Sequence, residues 1–118
     1  MQGPRLGGHP IHPALVHFPV VCWTAAPLLD GLCLLRRDLA CWQASFWVLI
    51  IGVVMALPTM TVGFMDLLAI PVGHPAQATG QRHMLLVACA WCVYTVDLLL
   101  RPLHVAPSGF QLWLALGL

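Results

Sequence analysis

Three of the six histidines, His9, His12 and His17, fall within nine residues of Gly8-His9-Pro10-Ile11-His12-Pro13-Ala14-Leu15-Val16-His17-Phe18-Pro19. Imidazole changes charge near neutral pH and is the commonest metal ligand. A run of it leading into an apolar segment therefore points to metal, haem or proton chemistry at a membrane surface. His83 opens a later apolar segment, and Asp66 and Arg82 supply a carboxylate and a guanidinium nearby. The acidic residues are four Asp with no Glu, so any acid–base work falls to Asp and His. No Ser-based elbow, His-Glu-x-x-His helix or phosphate loop is present, which argues against a hydrolase or nucleotide enzyme.

The elements that position these groups follow from composition. The 118 residues are 60% apolar and 8% charged, against about one quarter charged in soluble domains. So few charges cannot cover the surface of a small soluble protein. The fold class is all-α: an integral membrane helical bundle, a single domain over 1–118, with three full transmembrane helices and a partial or truncated fourth. The spans run about 13–35, 41–70 and 81–100, each near or above the ~20 residues that cross hydrocarbon. Phe110–Leu118 is the short fourth segment. Pro71 to Gly80, rich in Pro and Gly, reads as a loop. Met1 leads into Gly, Pro and His, so the first apolar segment reads as a retained span rather than a signal peptide. A net charge of +1 gives no nucleic-acid footprint. The five cysteines read as small apolar residues, and Cys89-Ala90-Trp91-Cys92 has only the outline of a redox pair.

Helical spacing orders the polar groups. In span 2, Gly52, Ala56, Thr59, Gly63 and Asp66 form one small or polar stripe, which suits close helix packing. His83, Ala90 and Asp97 share a face of span 3, and His17, Thr24 and Gly31 share one of span 1. Three inward stripes would bring His17, Asp66 and His83 to one depth, with His9, His12, His74 and Arg82 just above. Asp66 is expected to pair with Arg82. Asp30 and Asp97 fall at the opposite end, where an interfacial arginine can pair with them.

The opening motif, Gly8 to Pro13 with Leu15-Val16-His17-Phe18-Pro19 after it, resembles the bacterial membrane family called domain of unknown function 2231. The likeness continues at Leu28-Leu29-Asp30, Gly63 to Ile70 and Arg82-His83, and covers nearly the whole chain. The resemblance implies a four-helix membrane domain of no settled activity. Some members are fused to a Rieske iron–sulfur domain, which hints at electron transfer. Members also carry a complete fourth helix with a glycine-rich basic tail, and this chain stops about halfway through it.

Two functional readings stand. In the first, the chain is a haem- or metal-binding electron-transfer accessory module. His17 and His83 would hold haem b between two spans, with Asp66 as an orienting partner and Arg82 at a propionate. Alternatively His9, His12, His17 and His83 would ligate a transition metal. In the second, the chain is a cofactor-free structural or accessory subunit, its His-Pro pairs forming a rigid entry turn. A proton or solute pathway ranks below both. The partners are the lipid bilayer and either further copies of the chain or a larger membrane complex. Arg36, Arg37 and Arg101 lie opposite most of the histidines. The positive-inside rule then places the chain in the bacterial inner membrane with its N-terminus and histidine cluster on the periplasmic side.

Overall fold

The computed structural model describes residues 4–101. Backbone polar groups must be satisfied internally within lipid, and a helix does this segment by segment. Three helices form: α1 (His12–Arg36), α2 (Leu39–Leu68) and α3 (Pro75–Leu100). Their most apolar windows have mean hydropathies of 1.7, 2.2 and 1.8, so each is long and apolar enough to cross a membrane. At about 1.5 Å per residue, α2 is roughly 45 Å long and exceeds the hydrocarbon core. The expected fourth segment, 110–118, lies outside the described residues.

A two-stranded hairpin, β1 (Arg5–Leu6) and β2 (His9–Pro10), precedes α1. Leu6 pairs with His9 across a turn made by Gly7 and Gly8, whose φ angles are +56° and +84°. Two consecutive positive φ values suit a tight hairpin turn and favour glycine. The hairpin carries His9 outside the bundle, where it is exposed.

Only Arg37 and Asp38 separate α1 from α2, so the two helices run antiparallel. Arg37 takes a left-handed φ of 53° and its N–H donates to the Cys33 carbonyl at 2.7 Å. The Asp38 carboxylate accepts from the Ala40 N–H at 2.9 Å, capping α2. The third helix starts at Pro75, six residues before the expected Gln81. His74 Nδ1 accepts from the Ala76 N–H at 3.1 Å, and Pro75 occupies a first-turn position where no N–H is needed. Residues that read as helix breakers here begin a helix.

The α2 stripe faces inward as its spacing predicts: Gly52, Ala56 and Thr59 are buried. The α1 stripe does not. His17 and Thr24 are exposed, and a Cβ on Gly31 would meet nothing within 4 Å. The inward face of α1 instead carries Pro19, Ala26, Asp30 and Cys33. One position along a helix is a rotation of about 100°, so an offset of one or two residues turns a stripe from core to lipid. Thr24 tolerates that position because its hydroxyl donates to the Val20 carbonyl at 2.7 Å.

Pro58, within α2, cannot donate to the Val54 carbonyl. Two threonine hydroxyls next to it serve neighbouring carbonyls instead: Thr59 Oγ1 donates to Met55 O at 2.7 Å and Thr61 Oγ1 to Leu57 O at 2.8 Å. Helix α3 is peripheral, with 6% of its most apolar window buried. It is tied in by polar handles on aromatic rings. Trp91 Nε1 donates to Val53 O at 3.1 Å and the Tyr94 hydroxyl to Trp23 O at 3.0 Å. The Tyr94 and Trp23 rings stack at 5.0 Å.

Close approach of α1 to α2 depends on Gly52. A Cβ there would lie 2.8 Å from Cys22 Cβ and 2.9 Å from Trp23 Cδ1. Gly52→Ala is expected to destabilise the bundle by about 1–3 kcal/mol, the usual cost of overpacking. Gly31→Ala, with open space around it, should cost less than about 0.5 kcal/mol. Unfolding titrations of the purified protein with a denaturing detergent measure both.

Candidate functional site

Polar groups gather at the two ends of the bundle. At the histidine end, α1, α2 and α3 enclose a cavity of about 240 Å3, to which His12, Asp66 and His83 contribute one polar side chain from each helix. Val16, Pro19, Trp23, Met60, Met84 and Val87 supply apolar walls. Ala56 and Thr59 are buried and form its inner end, whereas His83 is exposed and stands at the rim.

His12 is held in a defined orientation. Its Nδ1 lies 3.2 Å from the Thr59 carbonyl oxygen. A carbonyl can only accept, so Nδ1 carries the proton in this contact and Nε2 of the neutral ring is left with its lone pair. Nε2 has no hydrogen bond among the described residues. The ring rests on Gly63, where a Cβ would come within 2.7 Å of His12 Cε1. The small stripe of α2 therefore makes the seat for this imidazole.

The cavity is assembled from a different histidine than spacing suggests. His17 is exposed and lies outside the cavity lining, so the pairing of His17 with His83 across the bundle is replaced by His12 and His83. His9 sits on the hairpin, and His74 caps α3. Among the described residues no group of three or more His, Cys, Asp or Glu is placed to hold a metal ion, so His9, His12, His17 and His83 do not form one ligand set. Arg82 is exposed, and no ion pair joins it to Asp66. All five cysteines are free thiols, and Cys89 and Cys92 lie on the exposed face of α3.

At the other end, Arg101 joins all three helices. Its NH1 donates to Asp30 Oδ1 at 2.9 Å and its NH2 to Asp30 Oδ2, forming a bidentate fork to α1. NH2 and Nε both donate to Asp97 Oδ2 of α3, at 2.8 and 3.3 Å. NH1 also donates to Ser45 Oγ of α2 at 2.9 Å, and Ser45 Oγ donates in turn to Ala26 O at 3.0 Å. The guanidinium lies 4.2 Å over the Trp42 ring. Asp30, Asp97 and Ser45 are fully buried. Burial works against the Arg101 charge, but the hydrogen bonds to Asp30 and Asp97 more than offset it and hold its pKa above the ordinary arginine value. The expected pairing of Asp30 and Asp97 with an arginine is present, and both share one guanidinium.

The sequence profile of a family described as a predicted membrane protein, DUF2231, matches residues 8–118. The chain belongs to this family. The DUF2231 match begins at Gly8, the second glycine of the hairpin turn, and takes in both polar ends of the bundle. No curated protein and no solved structure matches the chain.

Removing Arg101 would leave two buried carboxylates without their cation. Arg101→Met is expected to cost about 3–5 kcal/mol, the range for breaking a buried ion pair from one side. Arg82→Met, at an exposed position, should leave the unfolding midpoint unchanged. Detergent denaturation of the two variants side by side checks this.

Proposed function

We propose that this DUF2231 chain is a ligand-binding accessory module of membrane electron transfer, with the His12–Asp66–His83 cavity as its site. The observation that carries the reading is the free Nε2 of His12, an oriented acceptor in an apolar-walled cavity that opens near one end of the helices. Asp66 is a second acceptor in the same lining. A donor-bearing head on a lipid-soluble body, such as a quinol, matches that chemistry. Its hydroxyls would meet His12 and Asp66, and its tail would continue into the bilayer. The volume supports a small head group: about 240 Å3 lies below the roughly 300–1,000 Å3 of pockets that enclose drug-sized ligands.

A second reading is haem b or a transition metal, favoured by the same Nε2 lone pair and by His83 on a separate helix. His12, oriented by the Thr59 carbonyl, and His83 would then be the protein ligands, and a bound metal would supply one-electron chemistry. A macrocycle would have to project from the cavity, and a metal would need further ligands from outside the lining. The gathering of Arg36, Arg37 and Arg101 away from the cavity supports an inner-membrane orientation with the cavity towards the periplasm. The exposed apolar surface of α3 supports packing against further copies or a larger complex.

The test is direct. Protein purified in mild detergent is examined by absorption spectroscopy before and after dithionite, by elemental analysis, and by mass spectrometry of its organic extract. A short-chain quinol is expected to bind the native protein and the His17→Ala variant alike, and to lose at least tenfold in affinity in His12→Ala and Asp66→Ala. A reducible Soret band that disappears in His12→Ala and His83→Ala would select the haem reading. Failure to bind quinol, haem or metal would leave a cofactor-free structural subunit.

A further inference from the structure

The Arg101 cluster contains one hydrogen-bonding position that its donors cannot fill. An arginine side chain has five N–H donors. Here Nε serves Asp97 Oδ2, NH1 serves Asp30 Oδ1 and Ser45 Oγ, and NH2 serves Asp30 Oδ2 and Asp97 Oδ2, so all five are used. The Ser45 hydroxyl proton is committed to Ala26 O. Asp97 Oδ1 is buried and has no hydrogen-bond partner among the described residues.

The charges are also unequal. Two fully buried carboxylates face one guanidinium, so the cluster carries a net charge of −1 if both are ionised. Among the described residues, the other groups around it are Cys33 on α1, Trp42 and Ser45 on α2, and Tyr94 on α3, none of them cationic. The remaining charges at this end among the described residues, Arg36, Arg37 and Asp38, are exposed. A buried carboxylate with no countercharge neutralises rather than remain ionised in a medium of low dielectric.

We propose that Asp97 is a proton-binding site, with one proton held on Oδ1 while Asp30 stays ionised in its fork with Arg101. Both oxygens of Asp30 accept from the guanidinium, and Asp97 Oδ2 accepts twice, which leaves Asp97 Oδ1 as the position for the proton. The protonated cluster is electrically neutral. The proton can exchange only when water or another acceptor reaches Oδ1, so movement of α3 away from α1 and α2 would release it. The site lies at the opposite end from the cavity and does not depend on what the cavity binds.

The chain suits a spectroscopic test, because its four acidic side chains are all Asp. Native protein labelled with 13C at aspartate carboxyls is reconstituted in lipid nanodiscs at neutral pH and examined by infrared spectroscopy. One protonated carboxyl signal is expected. It should vanish in Asp97→Asn and persist in Asp38→Asn and Asp66→Asn. Asp97→Asn, which replaces a neutral acid by a neutral amide, should keep the native unfolding midpoint, whereas Asp30→Asn should lower it. Four ionised carboxylates in the native protein would overturn the proposal, as would a protonated signal that survives Asp97→Asn or disappears in Asp38→Asn or Asp66→Asn. If Asp97→Asn does not fold, Asp97→Glu replaces the labelled carboxyl by an unlabelled one and should remove the labelled protonated signal, and its survival in that variant would overturn the proposal.

Discussion

Two carboxylates placed in the interior of a bundle this thin have no water to solvate them, and lipid offers them nothing. Arg101 makes their burial tolerable. Its guanidinium reaches α1 through Asp30, α2 through Ser45 and α3 through Asp97, so one side chain fixes where all three helices meet. Helix association in membranes lacks the hydrophobic driving force available in water, and packing and polar contacts take its place. The peripheral α3 illustrates this: its attachment to α1 rests on Arg101 and on the Tyr94–Trp23 contact.

The opposite end has a different character. Its polar groups are spread around a cavity rather than locked together, and the His12 ring is oriented by a carbonyl rather than a carboxylate. The bundle thus has a closed, charge-paired end and an open, imidazole-lined end. Gly52 and Gly63 connect the two, because the approach of α1 to α2 that they permit sets both the core and the seat of His12.

Much of this arrangement is legible in the sequence. Composition gives the membrane class, and the Gly52-to-Asp66 stripe gives the inward face of α2, since small residues at helical spacing have little use on a lipid face. The face of α1 is misread for a physical reason. Polar residues mark an interior only when they need partners there, and Thr24 satisfies itself on its own helix. His12 looks like part of the entry turn because it is flanked by prolines, yet it is the first residue of α1 and points into the cavity. The start of α3 is hidden likewise, because Pro75 serves as a first-turn residue. Arg101 follows a helix and precedes a proline, so it reads as an interfacial stop; its burial depends on contacts across 71 positions, which no local pattern encodes.

The distance along the chain between Asp30 and Arg101 bears on biogenesis. Arg101 follows Asp30 by 71 positions and the end of α2 at Leu68 by fewer than half of these, so at about 5–20 residues per second of translation roughly 2–7 s separate completion of α2 from synthesis of Arg101. For that interval the completed α1 and α2 segments include an aspartate whose countercharge has not yet been synthesised. Final docking of the third helix is therefore a late, post-insertion event, and a nascent chain arrested before Arg101 would present an uncompensated acidic group to the quality-control machinery of the membrane.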